Sequence, residues 1–410
     1  MVTAEPGLEP LAPLTPSPGG LVRAGRRVLC LVDREATWMA LGAFVATRLA
    51  FVAISLAAPL LFVDHATRQL PTGSGWIRWD AQWFIATAEH GYPWKLFADR
   101  DYSTIAFFPL YPLAIRLLML AGLQSDLAAL IVPNLAFLPA CYYLYRLVRL
   151  DFPAEVAART TWLLALFPTA LAFFIPYTES LYLLCSVLMF WHLRHHRWLL
   201  AGIAGALGAL TRQSGIVLAL PFLVEWYAAR RAGRASWRAL APLLLMPLAV
   251  AAHLAYLWQV TGSPVAFLKV QRAWHRVLGW PWAGVVATIQ RWALPDVTGH
   301  ETGHQVHIVM ELAALALFML LLVVGLRRVR PSYSAYSAAV WLAALISPAI
   351  ADNYWLPIMS SSRFALSVFP GFIVLALALK RPALYQAWLA ASAMLLGLLA
   401  VYFYLGGWVA

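Results

Sequence analysis

The sequence predicts an all-α integral membrane protein, and three observations predict it. Of its 410 residues, 62% are hydrophobic and only 12% are charged, whereas a soluble globular domain carries about 25% charged residues. Apolar runs approaching the length of a helical crossing, about 20 residues, recur from end to end, so no separate soluble domain is evident. The runs are continuously apolar, not alternating, which selects helices over a β-barrel. About 11 membrane segments are expected, two of them limbs of one hairpin, with interfacial helices in the first external loop.

The formal net charge of +12 would suit a nucleic-acid partner in a soluble protein. Here the basic residues gather in short loops between apolar runs, the pattern that fixes orientation in a membrane. Cys30, Cys141 and Cys185 lie in or beside apolar segments without paired spacing, which argues against a disulfide framework or a cysteine zinc site. Residues 1–27, rich in Pro and Gly, read as a disordered cytoplasmic tail, longer than the n-region of a cleaved signal peptide. The remainder, 28–410, reads as one transmembrane unit whose first span is an uncleaved anchor.

Arg23, Arg26, Arg27 and Arg34 precede the first span, at 36–60, and put the N-terminus in the cytoplasm. The segment 61–124 is then external. Within it the run 105–122, with Pro109, Pro112 and Arg116, reads as interfacial, because a crossing there would leave Arg146 and Arg149 outside. Spans follow at 125–149, 156–175 and 180–193, with an external turn at 176–179 and a basic internal one at 194–197. The run 199–228 starts and ends at basic clusters and must be a hairpin, its outer tip at 211–215. A span at 240–258 leads to a second external loop, 259–305, whose Trp274, Trp280, Trp282 and Trp292 suit interfacial helices. Spans at 306–326, 333–350, 364–379 and 383–405 complete the chain, with the C-terminus outside.

This orientation collects Asp80, Glu89, His90, Glu179, Arg212, Arg272, His275, Asp352 and Arg363 on one side, where a charged lipid head group meets a base. Asp80 opens a short outer helix. At 100° per residue it shares a face with Phe84, Thr87 and Gly91, while Glu89 falls opposite. Spacing alone leaves two roles for Asp80, helix cap and catalytic carboxylate. Arg363, after three serines, is by pattern either a phosphate partner or an interfacial anchor.

Four motifs in order carry a resemblance. They are 79–84 (WDAQWF) running on to 88–92 (AEHGY), 106–113 (AFFPLYPL), 177–181 (YTESL) and 211–215 (TRQSG), with weaker similarity at 362–364 and in the last four residues. Together these resemble the GPI mannosyltransferase II (PIG-V) family. That resemblance implies a polytopic GT-C fold and transfer of mannose from a polyprenyl-phosphate carrier on the lumenal or outer side. It implies that Asp80 is the loop carboxylate proposed as base, and that Glu179, Arg212 and the 106–113 element border the site. Gln82 and Trp83 depart from the Glu-His found after the same Trp-Asp-Ala in animal members, which leaves the acceptor contacts open.

Such a transfer needs a base for the acceptor hydroxyl, cations for the departing phosphate and an apolar groove for the prenyl chain. Phosphate leaves as a stable anion, so a single carboxylate suffices, unlike glycoside hydrolysis. Asp80 is the expected base. Arg212 and Arg363, then Arg272 and His275, are the expected phosphate partners, and Glu179, His90, Tyr92 and Tyr111 the further substrate-binding residues. Glu179 either holds the fold through Arg212 or contacts acceptor hydroxyls. No residue demands a cofactor; a divalent metal is compatible but not required. The expected partners are a polyprenyl-phosphate-linked sugar, membrane lipids and a glycan, glycolipid or protein acceptor, in the plasma membrane of a prokaryote or the endoplasmic reticulum of a eukaryote. Two rivals remain. A lipid-linked sugar transporter would favour charges at the bilayer midplane. A membrane metalloprotease would use the H-E-x-x-H of His300, Glu301 and His304 with His307, although Gly299 and Gly303 weaken the helix that motif needs.

Overall fold

A computed structural model describes residues 33–61, 75–92, 103–273, 275–293, 302–349, 357–358 and 360–409. The tail expected at 1–27, and with it Cys30, lies outside the described residues, as do Asp352 and parts of both external loops. The described residues are helical throughout, with only one isolated bridge, Arg276 to Ala349, and no strand among them.

Helix α1 (Arg34–Leu61) displays the inside-out economy of a membrane helix. Its buried seam is built mostly of small residues, Ala36, Ala40, Ala43, Thr47 and Ala58, while Leu49, Leu56 and Leu60 are exposed. Lipid solvates large apolar side chains, so the helix interface goes to residues that let backbones approach. This seam lies against α4 (Ser125–Arg149), which packs in turn against α6 (Glu179–Arg194).

Between α1 and α4 lie α2 (Asp80–His90) and α3 (Leu110–Leu120). Helix α3, about 16 Å long at 1.5 Å per residue, is too short to cross. Its Arg116, unexpected in an apolar run, donates to the Ala88 carbonyl in the last turn of α2, a favourable place for a cation. Beyond α4 come α5 (Ala154–Ala165), α6, and the hairpin of α7 (Trp198–Ala209) and α8 (Ala219–Arg231). A Cβ at Gly215, in the hairpin tip, would lie 2.2 Å from the Gly208 carbonyl oxygen, so only glycine lets the tip close on α7.

A 3₁₀ stretch continued by α9 (Leu245–Thr261) precedes the short helices α10 (Ala266–Ala273) and α11 (Ala283–Ala293). The remainder is α12 (Thr302–Gly325), α13 (Pro331–Leu345), α14 (Ser361–Ser367), α15 (Phe369–Ala378) and α16 (Pro382–Tyr404). Helices α14 and α15 meet at a bend of 86°.

Every expected apolar run contains helix, but length and apolarity qualify five as crossings, or six if the bent α14–α15 pair is one span. The physical reason is burial. Helix α6, about 24 Å long against a hydrocarbon core of about 30 Å, is buried on most of its surface. Its flanking backbone lies inside protein, where irregular chain is tolerated at membrane depth. The irregular 166–178 segment before α6 illustrates this. Arg48 of α1 donates to the Phe173 carbonyl at 2.7 Å and to Asn134 at 2.8 Å, and Asn134 donates to the Phe174 carbonyl at 3.1 Å.

Candidate active site

Four segments far apart in sequence meet at one end of α6. Asp80 is the first residue of α2, and the preceding Trp79 has φ 56°, a left-handed conformation that a bulky side chain adopts only when its surroundings impose it. Those surroundings are the C-terminal residues. The Trp79 indole donates to the Gly407 carbonyl at 3.4 Å, and Arg78 donates to the Tyr404 carbonyl at 3.3 Å. The N-cap position falls to Trp79, so the Asp80 carboxylate is directed elsewhere. It accepts a hydrogen bond of 2.9 Å from Arg363 Nη1.

Glu179 opens α6, where a negative charge is favoured by the helix dipole. Its side chain is 2% exposed, and its Oε1 lies 3.4 Å from Arg212 Nη1 and 3.3 Å from Arg363 Nε. The first contact has hydrogen-bond geometry and the second is an ion pair without that alignment, while Oε2 has no hydrogen-bond donor. Arg212 also donates to Ser367 at 3.1 Å, and its guanidinium lies over the rings of Tyr182 and Phe364. Arg363 lies over the Tyr177 ring at 5.0 Å. Burial, reinforced by the neighbouring Asp80 charge, pushes the Tyr177 phenol well above its ordinary value, so it stays neutral. Two carboxylates and two guanidinium groups thus form one charge-balanced cluster, each carboxylate touching Arg363.

Arg363 is held by a deeper device. Glu311, fully buried in α12, accepts from the Ser362 backbone N–H at 2.6 Å and pairs with its hydroxyl at 2.8 Å. The Ser362 carbonyl accepts from Thr169 at 2.8 Å. With both backbone groups of Ser362 fixed, the next residue has one course into the site. Sequence reasoning passed over Glu311, although a lone carboxylate in an apolar run is a signal, because an ionisable group there costs enough to require a use.

The cluster forms one wall of a cavity of about 510 Å³, a size typical of small-molecule sites. Much of the remaining lining is aromatic, with Trp79, Trp83, Phe107, Phe108, Phe364 and Trp408. Trp83 and Phe107 stack at 6.1 Å between ring centres. Gln213 and Ser214 of the hairpin tip, and Gln271 and Arg276 between α9 and α11, add polar groups to the lining.

Of the residues expected at the site, Asp80, Glu179, Arg212 and Arg363 line this cavity, and the other five do not. His90 is exposed and lies 3.6 Å from Glu89. Tyr92 donates to the Phe107 carbonyl at 2.7 Å and packs against Tyr256, fastening the 106–113 element to the end of α2; burial pushes its phenol pKa up. Tyr111 is fully buried and donates to the Ala129 carbonyl at 2.7 Å, the acceptor left without a helical partner because Pro133 has no N–H. Arg272 is exposed on α10, and His275, at φ 55°, turns the chain just before Arg276. Gln271 and Arg276 are polar cavity residues that sequence reasoning passed over. Of the H-E-x-x-H motif, His300, Glu301 and the His304 side chain lie outside the described residues. His307 is buried against the rings of Tyr402 and Trp408. Among the described residues no three side chains are grouped as metal ligands.

The GPI mannosyltransferase 2 of Yarrowia lipolytica is 28% identical over 188 residues, which cover 44% of this chain and 50% of that protein. The oligosaccharyltransferase of Archaeoglobus fulgidus, in its apo form, superposes with a TM-score of 0.46 at 15% identity, over 90% of this chain and 55% of that one. The same enzyme in complex with an inhibitory peptide and a dolichol-phosphate gives 0.44 at 14%, over 91% and 55%. The chain thus spans about half the length of these proteins, and a structural likeness at that level carries no weight for mechanism. The family model described as mannosyltransferase (PIG-V) matches residues 36–232. That segment, a little under half of the chain, brings Asp80, Glu179 and Arg212 to the cavity.

Proposed function

We propose that this membrane protein is a glycosyltransferase that moves mannose from a polyprenyl-phosphate carrier to an extracytoplasmic glycolipid, glycan or protein acceptor, with Asp80 as general base. One observation carries the reading: a carboxylate, held at 2.9 Å by a buried guanidinium, lines a largely aromatic cavity that also presents two further arginines. The family match over 36–232 supports it independently.

The acceptor hydroxyl oxygen attacks the anomeric carbon and its proton passes to Asp80. The new C–O bond forms as the bond from that carbon to the phosphate oxygen breaks, and the electron pair leaves with the phosphate. Arginine N–H groups on the wall stabilise that developing charge. The Arg363 hydrogen bond fixes the direction of the Asp80 carboxylate. Glu179 Oε1 holds both arginines, which supports the fold-holding role.

The charges at the two ends of α6 support a sidedness. The site is at its first turn, and at its last turn Arg194 pairs bidentately with Asp151, amid Arg146, Arg149, Arg197 and Arg330. The basic end belongs in the cytoplasm, which supports an extracytoplasmic cavity.

The test is turnover by purified protein supplied with polyprenyl-phosphate mannose and candidate acceptors. Asp80→Asn should lower the rate by about 10²–10⁴-fold while the unfolding transition persists. Near-normal turnover in that variant would remove Asp80 from the mechanism.

A further inference from the structure

Trp79, which leads Asp80 into the cavity, stands where the backbone favours glycine. Its φ of 56° and ψ of −122° are those of the first central residue of a type II′ turn, a position that glycine fills without strain. The turn closes with the Ala81 N–H donating to the Arg78 carbonyl at 3.2 Å. A bulky side chain there destabilises the fold, so the indole has a use beyond the turn.

Anchoring of the loop falls mainly to its neighbours. Trp76 is buried against the rings of Phe51, Phe174, Phe403 and Tyr404 and donates to the Ser55 hydroxyl at 2.7 Å. Arg78 donates to the carbonyls of Gly75 and Tyr404, both at 3.3 Å. A Cβ at Gly75 would lie 2.6 Å from the Tyr404 ring, so the loop rests directly on the end of α16. Trp79 adds one long hydrogen bond, 3.4 Å to the Gly407 carbonyl, and at 45% exposure it is not a core residue. An interfacial anchor would explain the exposure but not the place, because Trp79 lines the cavity beside Asp80 and one helical turn before Trp83. The bond to Gly407 engages the one polar group of the side chain, which leaves the apolar ring to meet a ligand.

A pyranose suits such a surface. One side of the sugar ring carries C–H groups of partial positive charge, and the face of an aromatic ring is negative. Asp80, the next residue, is the base of the proposed reaction, so a ring within reach of both bears the attacking hydroxyl. We infer that Trp79 stacks against the sugar ring of the acceptor, and that the acceptor hydroxyl belongs to a glycan or glycolipid head group, not to a protein side chain. The assignment rests on reading the cavity as the transferase site. A donor sugar offers the same C–H face, and the kinetic arm of the test separates the two.

The probe is methyl α-D-mannopyranoside, with open-chain mannitol as control, added to the purified full-length protein in neutral detergent and followed by saturation-transfer NMR. The wild type should saturate the mannoside ring protons above those of mannitol. Trp79→Ala removes the indole and keeps the strained backbone, Trp79→Gly removes both, and Trp79→Phe keeps an aromatic ring. The alanine and glycine variants should each weaken mannoside binding by about threefold to tenfold, the worth of an aromatic contact, and the phenylalanine variant should retain most of it. Trp79→Gly should nevertheless unfold at a higher denaturant concentration than Trp79→Ala, so that stability recovers while binding does not; a role confined to folding would return both together. Wild-type binding in folded Trp79→Ala or Trp79→Gly would overturn the inference, and so would equal saturation of mannitol and mannoside by the wild type. In the turnover assay Trp79→Ala should raise the acceptor KM and leave the donor KM unchanged; a raised donor KM alone would overturn the acceptor assignment. The two readings fail differently. Trp79-dependent mannoside binding without sugar transfer would sink the proposed activity alone, whereas transfer with an unchanged acceptor KM in Trp79→Ala would sink the role of Trp79 alone.

Discussion

Removing Arg363 tests the cluster most directly, because both carboxylates depend on it. At 2.9 Å from Asp80 and an effective dielectric of about 20, the gross attraction is about 6 kcal/mol. Desolvation offsets much of this, and breaking a buried pair by deleting one partner costs about 3–5 kcal/mol. The Arg363 and Asp80 side chains are 14% and 26% exposed, so solvent screening trims the value only modestly. Arg363→Ala should therefore destabilise the protein by about 3–5 kcal/mol, because it leaves Glu179 with Arg212 alone. Asp80→Asn should cost less, since Arg363 keeps Glu179. The double variant should fall short of the sum by about 2 kcal/mol, within the 0.5–3 kcal/mol seen for residues in contact. Equilibrium unfolding in mild detergent, followed by the fluorescence of the 19 tryptophans, measures all three. Additivity within about 0.5 kcal/mol would refute the argument that guanidinium and carboxylate act as a pair.

Two further outcomes separate support from contact. Glu311→Ala leaves the buried Ser362 N–H and hydroxyl without their acceptor and should cost about 2–6 kcal/mol, at 1–3 per orphaned group. Glu311→Gln retains an oxygen for the N–H and an amide for the hydroxyl and should cost far less; equal losses in an unfolding assay would show that its charge, not its hydrogen bonding, matters. Tyr111→Phe orphans the Ala129 carbonyl beside Pro133, so it should lower stability by about 1–3 kcal/mol and leave donor KM unchanged. A raised KM with unchanged stability would return Tyr111 to the substrate.

Composition and periodicity were sufficient for the membrane class, because lipid imposes a demand every segment must meet by itself: apolar surface outside and backbone hydrogen bonds within. The same local logic marked the helix boundaries near Asp80 and Glu179 and the tight tip ending at Gly215. The motifs also singled out Asp80, Glu179 and Arg212, since a charged residue beside an apolar run is visible without knowing its neighbours. Which of these meet is a property of long-range contacts. Tyr92, Tyr111 and His90 are as prominent in sequence as Asp80, yet the first two satisfy backbone carbonyls and the third faces outward.

The number of crossings was likewise decided in three dimensions, because a short helix sheathed by its neighbours need not reach across the bilayer. Asp80 and Arg363 are 283 positions apart and touch at 2.9 Å, held there by the turn at Trp79 and by Glu311 beneath Ser362. The sequence by itself determined the solvent in which each segment is stable. Only the tertiary structure decided which buried charges neutralise one another, because an ion pair depends on ångström distances between groups that no local pattern relates.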